Sequence, residues 1–141
     1  MKLGDKASFS KTITDADVTI FAGLTGDFNP VHINSVYAKN TIFKNRIAHG
    51  MLGGSLVSTV LGTRLPGPGT IFMEQNLKFK MPVYIGDTLT VEVIFKEVLN
   101  SKKGVIKLEN QITNQEGSIV TEGYSIVKVP LQLIEEEKWK I

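Results

Sequence analysis

The segment His49-Gly50-Met51-Leu52-Gly53-Gly54-Ser55-Leu56-Val57-Ser58-Thr59-Val60-Leu61 is the most apolar helical candidate in the chain, and how it is buried decides the fold. Met51, Leu52, Leu56, Val57, Val60 and Leu61 do not keep to a narrow stripe, and a helix apolar nearly all round is a buried one. Gly50, Gly53 and Gly54 each cost helix stability, about 1 kcal/mol relative to Ala. Close packing of another backbone or of a ligand against this helix is therefore expected. Leu65-Pro66-Gly67-Pro68-Gly69 stops it abruptly.

Downstream of that stop the period changes. Ile71, Met73, Gln75, Leu77, Phe79 and Met81 alternate with Phe72, Glu74, Asn76, Lys78 and Lys80, which predicts a long half-buried strand over 71–81. Residues 82–87 read as a turn closed by Gly86-Asp87. Leu89, Val91, Val93 and Phe95 alternate again, and residues 105–113 and 118–129 give two more strands around short turns. Meander connections of this kind make the sheet antiparallel. Upstream, residues 7–13 predict a short strand. Thr14, three residues before Asp17, forms a capping-box-like pair that opens a helix over 15–24, with Val18, Phe21 and Ala22 on its apolar face. Asn34 caps a second helix at 35–39, and residues 41–48 carry little period. A compact domain seldom spends so much chain on connection unless that chain shapes a site. One strand, helices, a buried helix and four long strands describe an α+β domain whose sheet curls around the helix. Long strands leave edges to cover, which points to a dimer with a continuous sheet.

The whole chain of 141 residues reads as one domain, large enough to bury a core without staples. Residues 131–141 form a charged tail holding the only Trp, Trp139. A net charge of +2 argues against broad nucleic-acid binding, which needs a dense basic patch. With no Cys there is no disulfide framework, thiol nucleophile or Cys-ligated zinc. Met1-Lys2-Leu3-Gly4-Asp5 lacks the apolar core of a signal peptide, and no stretch approaches the length of a membrane span. The expectation is a soluble cytoplasmic protein.

Chemistry concentrates in Gly26-Asp27-Phe28-Asn29-Pro30-Val31-His32. Pro30 fixes its own φ and disfavours α conformation at Asn29, so an extended or turn-like bend separates Asp27 from His32. That bend brings a carboxylate and an imidazole toward one side of the chain, an arrangement suited to acid–base work. The other His of the chain, His49, stands at the start of the apolar helix.

With the Asp27-Phe28-Asn29-Pro30-Val31-His32 block followed by Ala48-His49-Gly50-Met51, the sequence resembles the MaoC-like hot-dog hydratases, most closely the single-domain (R)-specific enoyl-CoA hydratases. The likeness runs from about residue 4 to Pro130. It implies the hot-dog fold, with a long antiparallel sheet around a central helix at about 49–62 and a helical overhang at about 15–45. It also implies a homodimer and an acyl-CoA thioester as substrate, and the hydration chemistry itself requires no metal or redox cofactor. Carried over by position, Asp27 and His32 are the catalytic pair that holds and activates water. Gly50 offers its backbone N–H to the thioester carbonyl, Ser58 orients Asp27, and Asn29 shapes the loop.

Hydration of a trans-2-enoyl thioester fits those residue types. It needs a base to take a proton from water attacking C3, an acid to protonate C2, and donors for the enolate oxygen. Which of Asp27 and His32 plays base and which acid is open at this level. His49 reads as packing or capping the helix start, and Arg64, Lys78 and Lys80 as solvated surface charges. Two other functions compete: thioester hydrolysis on the same fold, and non-catalytic acyl binding. Against the first, the Asp27–His32 block matches the hydratase pattern; against the second, a binder needs no titratable pair. A metal site from Asp27, His32 and His49 is the weakest option, since the spacing matches no metal motif.

Overall fold

The computed structural model describes residues 1–134. Five strands form one antiparallel sheet: β1 (Lys6–Thr12), β2 (Ile71–Phe79), β3 (Thr88–Asn100), β4 (Val105–Thr113) and β5 (Ile119–Lys128). Their order across the sheet is β1-β3-β4-β5-β2. Four helices precede β2: α1 (Asp15–Thr25), α2 (Pro30–Ile33), α3 (Ser35–Lys39) and α4 (Gly50–Thr63).

The core forms where the inward face of the sheet meets α4. Leu89, Val91, Val93 and Phe95 of β3 alternate inward and are fully buried, joined by Ile106, Leu108 and Ile112 of β4 and Val127 of β5. From α4 they meet Leu52, Leu56, Val57, Val60 and Leu61. The helix is not buried all round: Met51, Ser55 and Ser58 face outward. Their i, i+4, i+7 spacing is one stripe of a helix, and the small polar residues in the segment collect there. The glycines bear out close packing at two positions. A Cβ on Gly50 would lie 2.8 Å from the Phe79 ring, and one on Gly54 would lie 2.6 Å from Leu77 Cδ1. Side chains of β2 thus rest on the bare helix backbone.

Two expectations about β2 need correction. The strand is not half-buried; Ile71, Phe72, Met73 and Phe79 are all more than 40% exposed. It lies at the sheet edge, paired only with β5, and a bulge between Phe72 and Glu74 breaks the alternation. Nor are residues 82–87 a hairpin turn. Residues 80–87 carry the chain from β2 at one edge to β3, which lies beside β1 at the other. On the way Ala48 N–H donates to Val83 O (2.7 Å) and Ile47 bridges Tyr84, so the crossing segment is laced to the irregular 41–48 loop. At the middle of the β2–β5 pairing, Gly123 stands opposite Leu77 on one side and Asn110 on the other. A Cβ there would overlap the carbonyl of Asn76.

The overhang follows the capping signals. Thr14 and Asp17 form the full reciprocal capping box of α1, and Gly26 ends it in the left-handed region (φ 81°). In the tail, Leu131–Leu133 form a 3-10 turn and Ile134 joins the core, held in part by the Met1 amino group donating to Leu133 O. Trp139 and the rest of the tail lie outside the described residues.

Candidate active site

Pro30 sits at the first position of α2, where a missing N–H costs nothing and its fixed φ suits a helix. Asn29 caps that turn by accepting from Val31 N–H (3.4 Å). The expected bend therefore ends at Asn29, and His32 rides on a helical turn instead of extended chain. Asn29 N–H in turn donates to Asp27 Oδ1 (3.2 Å), which tethers the carboxylate to its own loop. The result is an exposed Asp27 beside a buried His32.

Backbone contacts fix the ring of His32. Its Nδ1 lies 2.8 Å from Ile47 O, and a carbonyl can only accept, so Nδ1 carries the hydrogen and Nε2 keeps its lone pair. Arg46 Nε donates to the His32 carbonyl (2.6 Å) while its terminal nitrogen reaches Asp15 of α1 (2.9 Å), which locks α2 to α1. Burial pushes the His32 imidazolium down from the ordinary value near 6.5; the Ile47 carbonyl and the Asp27 charge oppose this, and neighbouring His49 adds to it. A depressed folded value means that the unfolded chain binds this proton more readily. The His32 contribution to stability is then fully present above about pH 6.5 and lost as pH falls below it. Urea midpoints should drop between about pH 7.5 and about pH 5 in the native protein, and drop less in His32→Gln. Asp15 and Asp17, lowered from 3.8 by Arg46 and by the Thr14 backbone respectively, titrate below that window.

Asp27, His32, His49 and Gly50 open onto one cavity of about 480 Å³. Its remaining walls come from α4 (Met51, Gly53), the 43–48 loop, the crossing segment 80–83, and Phe79, Leu89, Val120 and Thr121 of the sheet. The volume suits a small organic group, and the lining is mainly apolar with a few convergent polar atoms. Gly50 is the first residue of α4, so its N–H has no partner within the helix and stands at the positive end of the dipole.

Ser58 does not join this group. It lies eight residues past Gly50, about 12 Å along the axis, on the outward stripe of α4. Among the described residues its hydroxyl meets no side chain of the cavity. His49, expected only to cap or pack, does not cap α4 with its side chain. It reaches back to Asp27, Nε2 to carbonyl O at 2.9 Å. A backbone acceptor 22 positions away leaves no mark in sequence, so this contact was invisible there.

One ligating atom from each of Asp27, His32 and His49 lies within 4.8 Å of the others. The donor set suits a metal poorly. His32 Nδ1 and His49 Nε2 both carry hydrogens given to carbonyls, and His49 Nδ1 is sealed from solvent. That leaves the Asp27 carboxylate and His32 Nε2, fewer than the three protein ligands a catalytic zinc site keeps. The same spacing suits a water. An Asp27 carboxylate oxygen and a His32 ring nitrogen no more than 4.8 Å apart are close enough for one oxygen to hydrogen-bond to both at about 2.8 Å.

Among the described residues no helix is long and apolar enough to cross a membrane. Relatives with this architecture are known. An (R)-specific enoyl-CoA hydratase of Rhodospirillum rubrum is 49% identical over 92% of this chain and 89% of its own. A 3-hydroxybutyryl-CoA dehydratase of Methylorubrum extorquens is 40% identical over 92% and 82%. The crystallised (R)-hydratase of Aeromonas caviae, described as involved in PHA biosynthesis, superposes with a TM-score of 0.88 at 42% identity, covering 92% of this chain and 98% of that one. The sheet around α4 is accordingly the hot-dog fold. The MaoC like domain matches residues 2–117, and with most of its length shared with these hydratases, the chain belongs to the MaoC-like family.

Proposed function

We propose that this chain is a hydro-lyase that adds water reversibly across the double bond of a trans-2-enoyl-CoA to give the (R)-3-hydroxyacyl-CoA. The observation that supports the reading is that Asp27 and His32, with ligating atoms within 4.8 Å of each other, line the same cavity as Gly50, the first residue of α4. Water held between the Asp27 carboxylate and His32 Nε2 attacks C3 as the pair takes its proton. The pair returns a proton to C2. As the double bond shifts, negative charge grows on the thioester oxygen, where Gly50 N–H and the α4 dipole stabilise it; one such donor is worth about 3 kcal/mol of barrier. No step requires a resident metal or redox group.

The partner in this reading is a second copy. The β2 edge presents unpaired backbone and exposed Ile71, Phe72 and Met73, and Phe79 and Met81 on the same margin line the cavity. A copy docked there continues the sheet and closes the open side of the site. The same reading places the enzyme in the cytoplasm.

The test is crotonyl-CoA with the native protein, followed by loss of enoyl-thioester absorbance and by an (R)-specific coupling enzyme, with the mass in solution measured in parallel. Formation of (R)-3-hydroxybutyryl-CoA by a dimer is the expected result. Release of free CoA with the enoyl group intact would replace hydration with thioester hydrolysis.

A further inference from the structure

His49 is one of two histidines in the chain and is buried, yet the hydration chemistry above gives it no role. Its ring is held between two others: His32 stacks on it at 3.9 Å with 29° between planes, and Phe21 of α1 tilts against it at 4.9 Å. Nε2–H donates to the carbonyl of Asp27, while Nδ1 is buried without a hydrogen-bond partner. A hydrogen on Nδ1 would have no acceptor, so the surroundings select the Nε2–H tautomer.

The other bonds of the Asp27 loop are local. Asp27 N–H donates to Thr25 Oγ1 (3.2 Å), Phe28 N–H to Gly26 O (3.1 Å) and Asn29 N–H to Asp27 Oδ1 (3.2 Å), each two positions apart and each solvent-exposed. Among the described residues the His49 bond is the long-range tie on that loop. The next residue along from His49 is Gly50, which lines the cavity at the first position of α4. One side chain therefore joins the three parts of the site: it holds the backbone of Asp27, it carries the ring of His32 on its face, and it is anchored at the start of α4.

We propose that His49 is a positioning residue that fixes the Asp27 loop and the His32 ring in register with the Gly50 N–H. The role rests on the hydratase reading for its catalytic consequence, but its structural half stands without it. The bond to Asp27 O sets where the carboxylate sits, and the stacked face sets the plane of the His32 ring and hence the aim of Nε2. Of the other charged or titratable groups around His32, Asp27 from the α1–α2 loop acts through its charge, Arg46 donates to the His32 carbonyl, and Lys80 lines the same cavity while pairing with Glu122.

Two substitutions separate the two contacts. His49→Phe keeps the stack and removes the donor; His49→Gln keeps an amide donor at similar reach and removes the aromatic face. With two histidines in the chain, ring-nitrogen NMR resolves His32 in every variant. The expected results are a native His32 that titrates below 6.5 as the Nδ1–H tautomer, and a midpoint that moves up in both variants, which lose the neighbouring imidazole. In crotonyl-CoA hydration, His49→Phe should lose about 10–100-fold in kcat with KM nearly unchanged, and His49→Gln should recover a good part of it. A His49→Phe enzyme with native kcat, or activity in both variants that tracks only the folded fraction while the His32 midpoint stays fixed, overturns the proposal. If the native protein proves inactive, the hydratase reading fails, and the NMR comparison still decides whether His49 sets the His32 ring.

Discussion

Asp27→Asn and His32→Gln should each lower kcat for crotonyl-CoA by about 10²–10⁴-fold, the range over which a positioned acid–base group contributes. Both substitutions are chosen to spare the framework. Asn at position 27 retains an oxygen to accept from Asn29 N–H, so the loop keeps its internal tether and loses only the charge and proton affinity. Gln at position 32 keeps an amide donor of similar length on α2. KM should change little, because neither side chain is the main apolar surface of the cavity. Circular dichroism and steady-state rates measured on the same preparations check this. A variant that is folded and within about threefold of native kcat would remove its residue from the reaction.

The second large effect is on stability and falls far from the chemistry. Gly123→Ala should destabilise at the upper end of the ~1–3 kcal/mol typical of overpacking, or beyond it, and lower Tm by about 10 °C. The added methyl would meet the carbonyl of Asn76, which is backbone and cannot rotate away as a flexible side chain can. The strand must give, and the strand concerned is β2, whose sole partner in the sheet is β5. Gly23→Ala is the matched contrast. It lies inside α1 with nothing within 4 Å of a new Cβ, so it should be neutral or stabilising by about 0.5–1 kcal/mol. Thermal melts of the pair distinguish a steric requirement at Gly123 from a general intolerance of change at glycine.

What the sequence made legible was what depends on neighbours in the chain. The Thr14–Asp17 capping box, the Asn34 cap and the extent of α4 all arise from contacts a few residues apart, and each stands where its signal lies. The Asp27–His32 pairing was legible for the same reason, although Pro30 proved to start a helical turn instead of prolonging a bend. Long-range pairing escaped. An alternating run such as 71–81 reads the same at the centre of a sheet and at its edge, so the exposure of β2 and the passage of 80–87 across to β3 had no local signature. Ser58 illustrates the limit of matching by position: spacing along α4 places it two turns from Gly50, and only the buried face of the helix shows that it points outward. His49 shows the converse, a contact to backbone that no pattern of side chains announces.

The strand order also has a consequence for how the molecule is made. β2 leaves the ribosome before β3 and β4, yet the register Ile71↔Lys128 to Phe79↔Thr121 gives it nothing to pair with until β5 has followed. At synthesis rates of ~5–20 residues per second, the roughly 50 residues between them take a few seconds. Throughout that interval a nascent chain carries Ile71, Phe72 and Met73 with both backbone edges open. Val120 and Thr121, which line the floor of the cavity, arrive in the same late stretch. The cleft is therefore completed only once β5 has followed, and the apolar margin is most vulnerable to sticking to other chains before that.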